Sequence, residues 1–134
     1  MASMTDYMVL QDGPATLNSH PSGTDRVMID FDLPRNFTVG VRFGKPVLAY
    51  IINPQSRSSK VGGWVNPVAD PFVSSEQVIS LNWTTDNHSD YGLWEAVDGR
   101  KFKAGESNRI VFKAWEGKVI VRDIILWFQR GSGN

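Results

Sequence analysis

The 134 residues carry 14 Lys+Arg against 14 Asp+Glu, a formal net charge of zero, and 41% of them are hydrophobic. That supports one domain with one core and argues against global disorder, while the absence of a basic excess argues against a nucleic-acid partner, whose phosphates dominate affinity. With no cysteine, disulfide frameworks, thiol catalysis and cysteine zinc sites are excluded.

The opening MASMTDYMVLQDGP has neither a basic start nor a long apolar run, so no signal peptide is expected. No stretch approaches the roughly 20 apolar residues of a membrane helix. Residues 1–24 are read as an N-terminal segment of a single domain spanning 1–134. From there on the hydrophobic period is two. Val27, Ile29 and Phe31 alternate with Met28, Asp30 and Asp32, and Phe37, Val39, Val41 and Phe43 with Thr38, Gly40 and Arg42, the pattern of half-buried antiparallel strands. Turn chemistry separates these runs at Leu33-Pro34-Arg35-Asn36.

After Gly44-Lys45-Pro46, an apolar strand is expected over Val47 to Ile52, stopped by Asn53-Pro54 because proline removes a ladder donor. Ser56 to Gln77, with Gly62-Gly63, Pro67 and Pro71, reads as a long loop with a short strand around Trp64-Val65, and long loops are often functional. Val78 to Trp83 is the next strand, with Ile79, Leu81 and Trp83 on one face. Thr84 to Asp90 is turn-like, and Trp94 to Val97 is a short strand ended by Asp98-Gly99. Asn108 to Trp115 and Val119 to Phe128 close the chain, with a tight turn at Glu116-Gly117 and a bend at Asp123. No helical pattern of useful length occurs. Many short strands between turn signals point to an all-β, antiparallel two-sheet sandwich.

Catalytic signals are weak. The two histidines, His20 and His88, lie in loops without a nucleophile motif. Glu95 is the best-placed acid, beside Trp94 and near Tyr91, and a glycoside hydrolase would need a second carboxylate roughly 5–10 Å from it. Asp86, Asn87, His88 and Asp90 offer metal-ligating atoms, but the composition is that of a solvated turn. No cofactor is expected. Three N-x-S/T triplets, at Asn36, Asn82 and Asn87, fit chance in a Ser/Thr/Asn-rich chain.

What remains is a set of amides, an acid and aromatic rings: Asn53, Gln55, Asn82, Tyr91, Trp94 and Glu95, with Trp64 in the long loop. Rings pack on the apolar C–H faces of sugars, and amides and carboxylates bond their hydroxyls. Trp83, Trp115 and Trp127 sit within strands and are assigned to core or edge packing.

At these residues the chain resembles the galectins. FTVGVRFG-KPVLAYIINPQSR is similar to a galectin strand F-x-x-x-L-G followed by H-x-N-P-R. VISLNW resembles the strand that supplies a second sugar-binding asparagine. YGLWEAVDGRKFKAG resembles the W-G-x-E-x-R through F-x-x-G run. The resemblance implies a galectin-like jelly roll, with Asn53 and Asn82 as sugar-bonding amides, Tyr91 or Trp94 as the stacking ring and Glu95 as acceptor. Ile51 and Gln55 stand where the motif has its histidine and arginine, and Arg57 is a nearby replacement charge, so altered glycan specificity is implied. The expected function is a non-enzymatic carbohydrate-binding protein. Its partners would be glycans or glycoconjugates, without nucleic acid or membrane insertion. Homo-oligomerisation is expected to add avidity. The expected location is cytoplasmic, or secreted without a signal peptide. The alternative is a protein-interaction or structural β-sandwich that has lost sugar binding.

Overall fold

The computed structural model describes residues 3–20, 24–39, 44–84 and 88–131. Eight strands run in the order β1 (Ser3–Asn18), β2 (Arg26–Asp32), β3 (Val47–Pro54), β4 (Ser59–Val65), β5 (Ile79–Trp83), β6 (Tyr91–Ala96), β7 (Ser107–Glu116) and β8 (Lys118–Gly131). They build two four-stranded sheets, β1-β8-β3-β6 and β2-β7-β4-β5. Every pairing is antiparallel: first strand with last, second with seventh, third with sixth, fourth with fifth. This is one long hairpin rolled so that its successive rungs alternate between the sheets, a jelly-roll sandwich. Among the described residues the only helical elements are two single-turn 3₁₀ segments, Ser74–Glu76 and Gly99–Lys101.

Alternation in each strand decides which side chains fill the space between the sheets. In β3, Leu48, Tyr50 and Ile52 point inward; in β8, Val119, Val121, Ile124, Leu126 and Phe128 do. They meet Ile29, Val61, Ile79, Ile110 and Phe112 from the other sheet. Tyr50 and Phe112 cross the core edge-on, with ring centroids 5.2 Å apart, in the geometry that aromatic quadrupoles favour.

Several sequence expectations change here. Within the N-terminal segment, β1 spans Ser3–Asn18 and pairs along β8, a strand that the alternation does not announce. Its alternation is broken by shifts between Val9 and Pro14, which hide the period. Of the strand expected over Phe37 to Phe43, Phe37 makes one bridge to Arg130 and residues 40–43 lie outside the described residues. The strand expected from Trp94 begins at Tyr91.

The long loop expected over Ser56 to Gln77 contains an interior strand, β4, hydrogen-bonded on both sides. Gly62 and Gly63 looked like loop residues, but they are required by close packing. A Cβ on Gly63 would lie 2.9 Å from that of Ile79, and one on Gly62 would clash with Gln77 and with the indoles of Trp64 and Trp115. The segment after β4 folds back over the outer face of the second sheet. There Trp64, Phe72 and Val111 form a second small core, and Arg26 stacks over Phe72 at 5.0 Å while pairing with Asp70 at 3.0 Å.

Candidate functional site

The segment that covers the second sheet leaves the first sheet's outer face as the broad surface on which large side chains are exposed. Since Leu48, Tyr50 and Ile52 point inward, Val47, Ala49, Ile51 and Asn53 point outward. The register sets Trp94 beside Ala49 on one side and Ile125 on the other. Val47 lies beside Trp127, which is paired in turn with Tyr7. Trp94 is 74% exposed, Tyr7 56% and Trp127 42%. The Tyr7 and Trp127 rings touch, with centroids 5.0 Å apart. One face thus carries an aromatic ring at the β6 edge, an aromatic pair over β8 and β1, and an aliphatic floor between them.

A bulge in β8 gives this floor a polar flank. Between Ala49–Ile125 and Ile51–Arg122, Tyr50 of β3 faces two residues of β8, Asp123 and Ile124. Asp123 takes a positive φ of 53°, a backbone shape that few residues other than glycine tolerate and that re-aims the side chain. The result is a shallow, largely apolar groove of about 320 Å³ lined by Ala49, Ile51, Gly92, Trp94, Asp123 and Ile125. A Cβ on Gly92 would meet nothing within 4 Å, so this glycine fills no packing need and simply leaves the floor open.

A chain of hydrogen bonds closes one end of the groove. Arg122 donates to Asp123 at 2.6 Å and, reaching across β3, to Asp90 at 2.7 Å. Asn53 donates to Asp90 at 3.0 Å and to the His88 carbonyl at 3.1 Å. Gln55 donates to Asn53 at 2.6 Å and lies 3.2 Å from His88 Nδ1. The Arg122 guanidinium, and after it the Asn53 amide, holds the Asp90 carboxyl below its ordinary range. Asp90 and then Asp123 push the Arg122 guanidinium up. Two carboxylates face one cation here, and each carboxylate oxygen accepts one described bond, leaving capacity for hydroxyl donors.

From the expected set, the structure joins Asn53 and Gln55 in one hydrogen-bond network and puts Trp94 on the same sheet face, and it separates the rest. Asn82 is exposed on β5, in the other sheet. Tyr91 and Glu95 lie on β6 on the parity opposite to Trp94, beside the inward Ile52 and Leu48. The half-buried Tyr91 ring packs on Trp83 at 6.0 Å. Burial, and then the nearby Glu95 charge, pushes the Tyr50 phenol up. Arg57 is exposed in the β3–β4 connection. Trp64 does not close over a ligand: it is 1% exposed and its indole N–H donates to the Val73 carbonyl at 2.9 Å. Trp127, assigned to packing from the sequence, is on the exposed face instead.

Sequence reading missed Tyr7, Arg122, Asp123 and Trp127. In VIVRDIILWF the bulge reverses the parity halfway, so no alternation marks Trp127 as outward. Of the suggested metal cluster, Asp86 and Asn87 lie outside the described residues, and His88 and Asp90 belong to the network above. Among the described residues no group of three or more His, Cys, Asp or Glu is placed to hold a metal.

A second cavity, about 290 Å³, lies beside Asp30, Asn66, Asn108 and Arg109. Its two asparagines and its Asp30–Arg109 pair are committed to the fold. Asn108 is 2% exposed; its oxygen accepts from Asn66 and the Lys103 amide, and its nitrogen donates to the Lys103 and Glu106 carbonyls. That uses all four of its bonds. Arg109 is forked onto Asp30 at 2.7 and 3.0 Å.

No family model matches the sequence, and no curated protein does. Among solved structures, the chain is similar to part of dimeric latent PorU from Porphyromonas gingivalis, with 10% identity and a TM-score of 0.65 over 97% of this chain. It is also similar to part of latent apple tyrosinase, with 14% identity and a TM-score of 0.63 over 87% of this chain. It spans only 13% and 27% of those two chains. A CBM4 structure aligns over 94% of this chain and 77% of its own at 17% identity, with a TM-score of 0.48. At these identities the likeness to the first two is one of fold, and it agrees with the β-sandwich described above.

Proposed function

We propose that this protein is a non-enzymatic carbohydrate-binding module that takes its glycan on the outer face of the β1-β8-β3-β6 sheet. The observation that carries this reading is the Trp94 ring, 74% exposed, beside an aliphatic groove that ends in the Asn53–Asp90–Arg122–Asp123 network. A sugar presents an apolar C–H face and a rim of hydroxyls. The ring and floor match the first, and the amide, guanidinium and carboxylates match the second. The galectin pair of Asn53 with Asn82 is divided between the sheets, so the altered specificity proposed here rests on Asn53 with Asp90, Arg122 and Asp123. Self-association would add avidity to a shallow site.

A glycan array probed with wild type and Trp94→Ala tests the reading. Binding to a defined glycan class, lost in Trp94→Ala, is expected. An array without signal above background counts against it. The second reading is a protein partner on the same face, favoured by the continuity of apolar surface from Trp94 through Ile125 to Tyr7. A silent array together with a specific polypeptide ligand sensitive to Trp94→Ala would select that one.

A further inference from the structure

The face holds two aromatic platforms, and their separation bears on the size of the ligand. Trp94 and Ile125 flank Ala49 on opposite sides, and Trp127 is two residues beyond Ile125 on the same face. Two inter-strand steps of about 4.8 Å and two residues of about 3.4 Å put the Trp94 and Trp127 Cα atoms about 12 Å apart. A pyranose spans roughly 5 Å from the oxygen on C1 to that on C4, given bonds of about 1.5 Å. The Cα separation is more than twice that span, close to the spacing of the first and third units of a linked chain.

The surface between the platforms is low. Ala49 carries a small side chain, and Val47 and Ile125 are half-buried. Ile51 and Gly92 continue this floor on the far side of the Trp94–Ala49–Ile125 rung, away from Trp127. The Arg122–Asp90 pair walls one end of this floor, and Asp123 stands along its flank. Tyr7 braces Trp127 at 5.0 Å, which limits the rotamer freedom that stacking would otherwise cost. The charge of the network also selects. One guanidinium already shared by two carboxylates offers no surplus cation to a uronate or sulfate, and the carboxylates repel anions while accepting from hydroxyls.

We propose that the ligand is an uncharged oligosaccharide chain of at least three units, laid across β6, β3, β8 and β1, with one unit on Trp94 and another on the Trp127–Tyr7 pair. This rests on the carbohydrate reading above and adds the ligand's length, charge and direction. The central unit lies over Ala49 and Val47, and the hydroxyls on its edge toward Ile51 face the Asp123 side of the groove.

Calorimetric titration tests it with β-1,4-linked gluco-, xylo- and manno-oligosaccharides of one to six units, alongside oligogalacturonates of matching length. In at least one neutral series, affinity is expected to rise at least tenfold between two and four units and then level off, with no binding of the anionic series. Trp127→Ala and Trp94→Ala are each expected to abolish that rise while leaving the melting temperature unchanged. Trp127→Tyr, which keeps a ring, should restore most of it. Equal affinity for two and six units, preference for the anionic chains, or full-strength binding of the hexamer by Trp127→Ala would overturn the chain proposal and leave the carbohydrate reading standing. Silence across this panel and the glycan array would overturn both.

Discussion

Arg122 reaches Asp90 at 2.7 Å across strand β3, which lies between the strands these two residues flank or occupy. Both ends of this bridge are exposed, so its contribution to stability is small. Its consequence is positional: it closes one end of the groove and fixes the Asp90 carboxylate. Arg122→Ala should therefore leave the melting temperature almost unchanged and weaken glycan binding about tenfold, a loss that 1.4 kcal/mol represents. Calorimetry and differential scanning fluorimetry on the same preparations check both halves. A drop in melting temperature with unchanged affinity would assign Arg122 to the fold alone.

The Asp123 bulge separates backbone from side chain. Asp123→Gly keeps a residue that adopts φ near 53° without a Cβ clash and removes the carboxylate. It should fold normally and bind glycan more weakly. Asp123→Val forces a β-branched residue into that region and should cost about 1–2 kcal/mol of stability by denaturant melts. Equal stability of the two variants would mean that the bulge rearranges.

Much of the fold was legible because the strands announce themselves by alternation. Ile79, Leu81 and Trp83 face the core while Ser80 and Asn82 face solvent, as the pattern predicts, and Ile110, Phe112 and Ala114 do likewise in β7. The site was legible only in part. Asn53 and Gln55 lie at the end of a readable strand, and Trp94 lies in β6, whose sequence reads as a strand near a turn. Arg122, Asp123 and Trp127 follow a bulge inside an unbroken apolar run, where parity cannot be read. Tyr7 lies in a strand whose own register shifts conceal it. Trp64 misled for the opposite reason: two neighbouring glycines suggested a loop, when they are small because indoles and Ile79 press on the backbone there.

Trp64 offers a stability test. Its ring contacts Phe72 at 5.2 Å and Trp115 at 5.6 Å, and it anchors the covering segment through the Val73 carbonyl. Trp64→Ala should cost about 3–5 kcal/mol, the range for emptying a large aromatic site. Any glycan binding by the residual folded protein should match that of wild type, because the proposed site is on the other sheet. Lost affinity at full stability would return Trp64 to the binding surface.

Asn108 makes a similar case with polar groups. Asn108→Ala strands the Lys103 amide and two carbonyls that it now satisfies. A single buried unsatisfied group costs about 1–3 kcal/mol, so a loss on the order of 3 kcal/mol is expected from chemical denaturation. Asn108→Asp should be no better, since a carboxylate accepts from the Lys103 amide but repels the two carbonyls. Amide exchange should rise first over residues 101–109, where the bonds are made.

Acid stability follows from a set of aspartates paired with arginine. Asp6 with Arg130, Asp25 with Arg26, Asp30 with Arg109, Asp90 with Arg122 and Asp98 with Arg100 are all held below 3.8, the ordinary aspartate value, chiefly by the arginine hydrogen bond. A carboxyl whose folded-state pKa is depressed stabilises the fold fully above its unfolded value. That contribution is lost as pH falls through the folded one. All five therefore favour the folded state near neutrality and withdraw that support only below about pH 4. The melting temperature should be flat from pH 7 to 5 and fall below 4. Because these pairs are largely exposed, the fall attributable to them should shrink in about 1 M salt, where the Debye length is about 3 Å. A transition centred between pH 5 and 6 would instead identify a group outside this set, and scanning fluorimetry across pH 2 to 7 at two salt concentrations distinguishes the two outcomes.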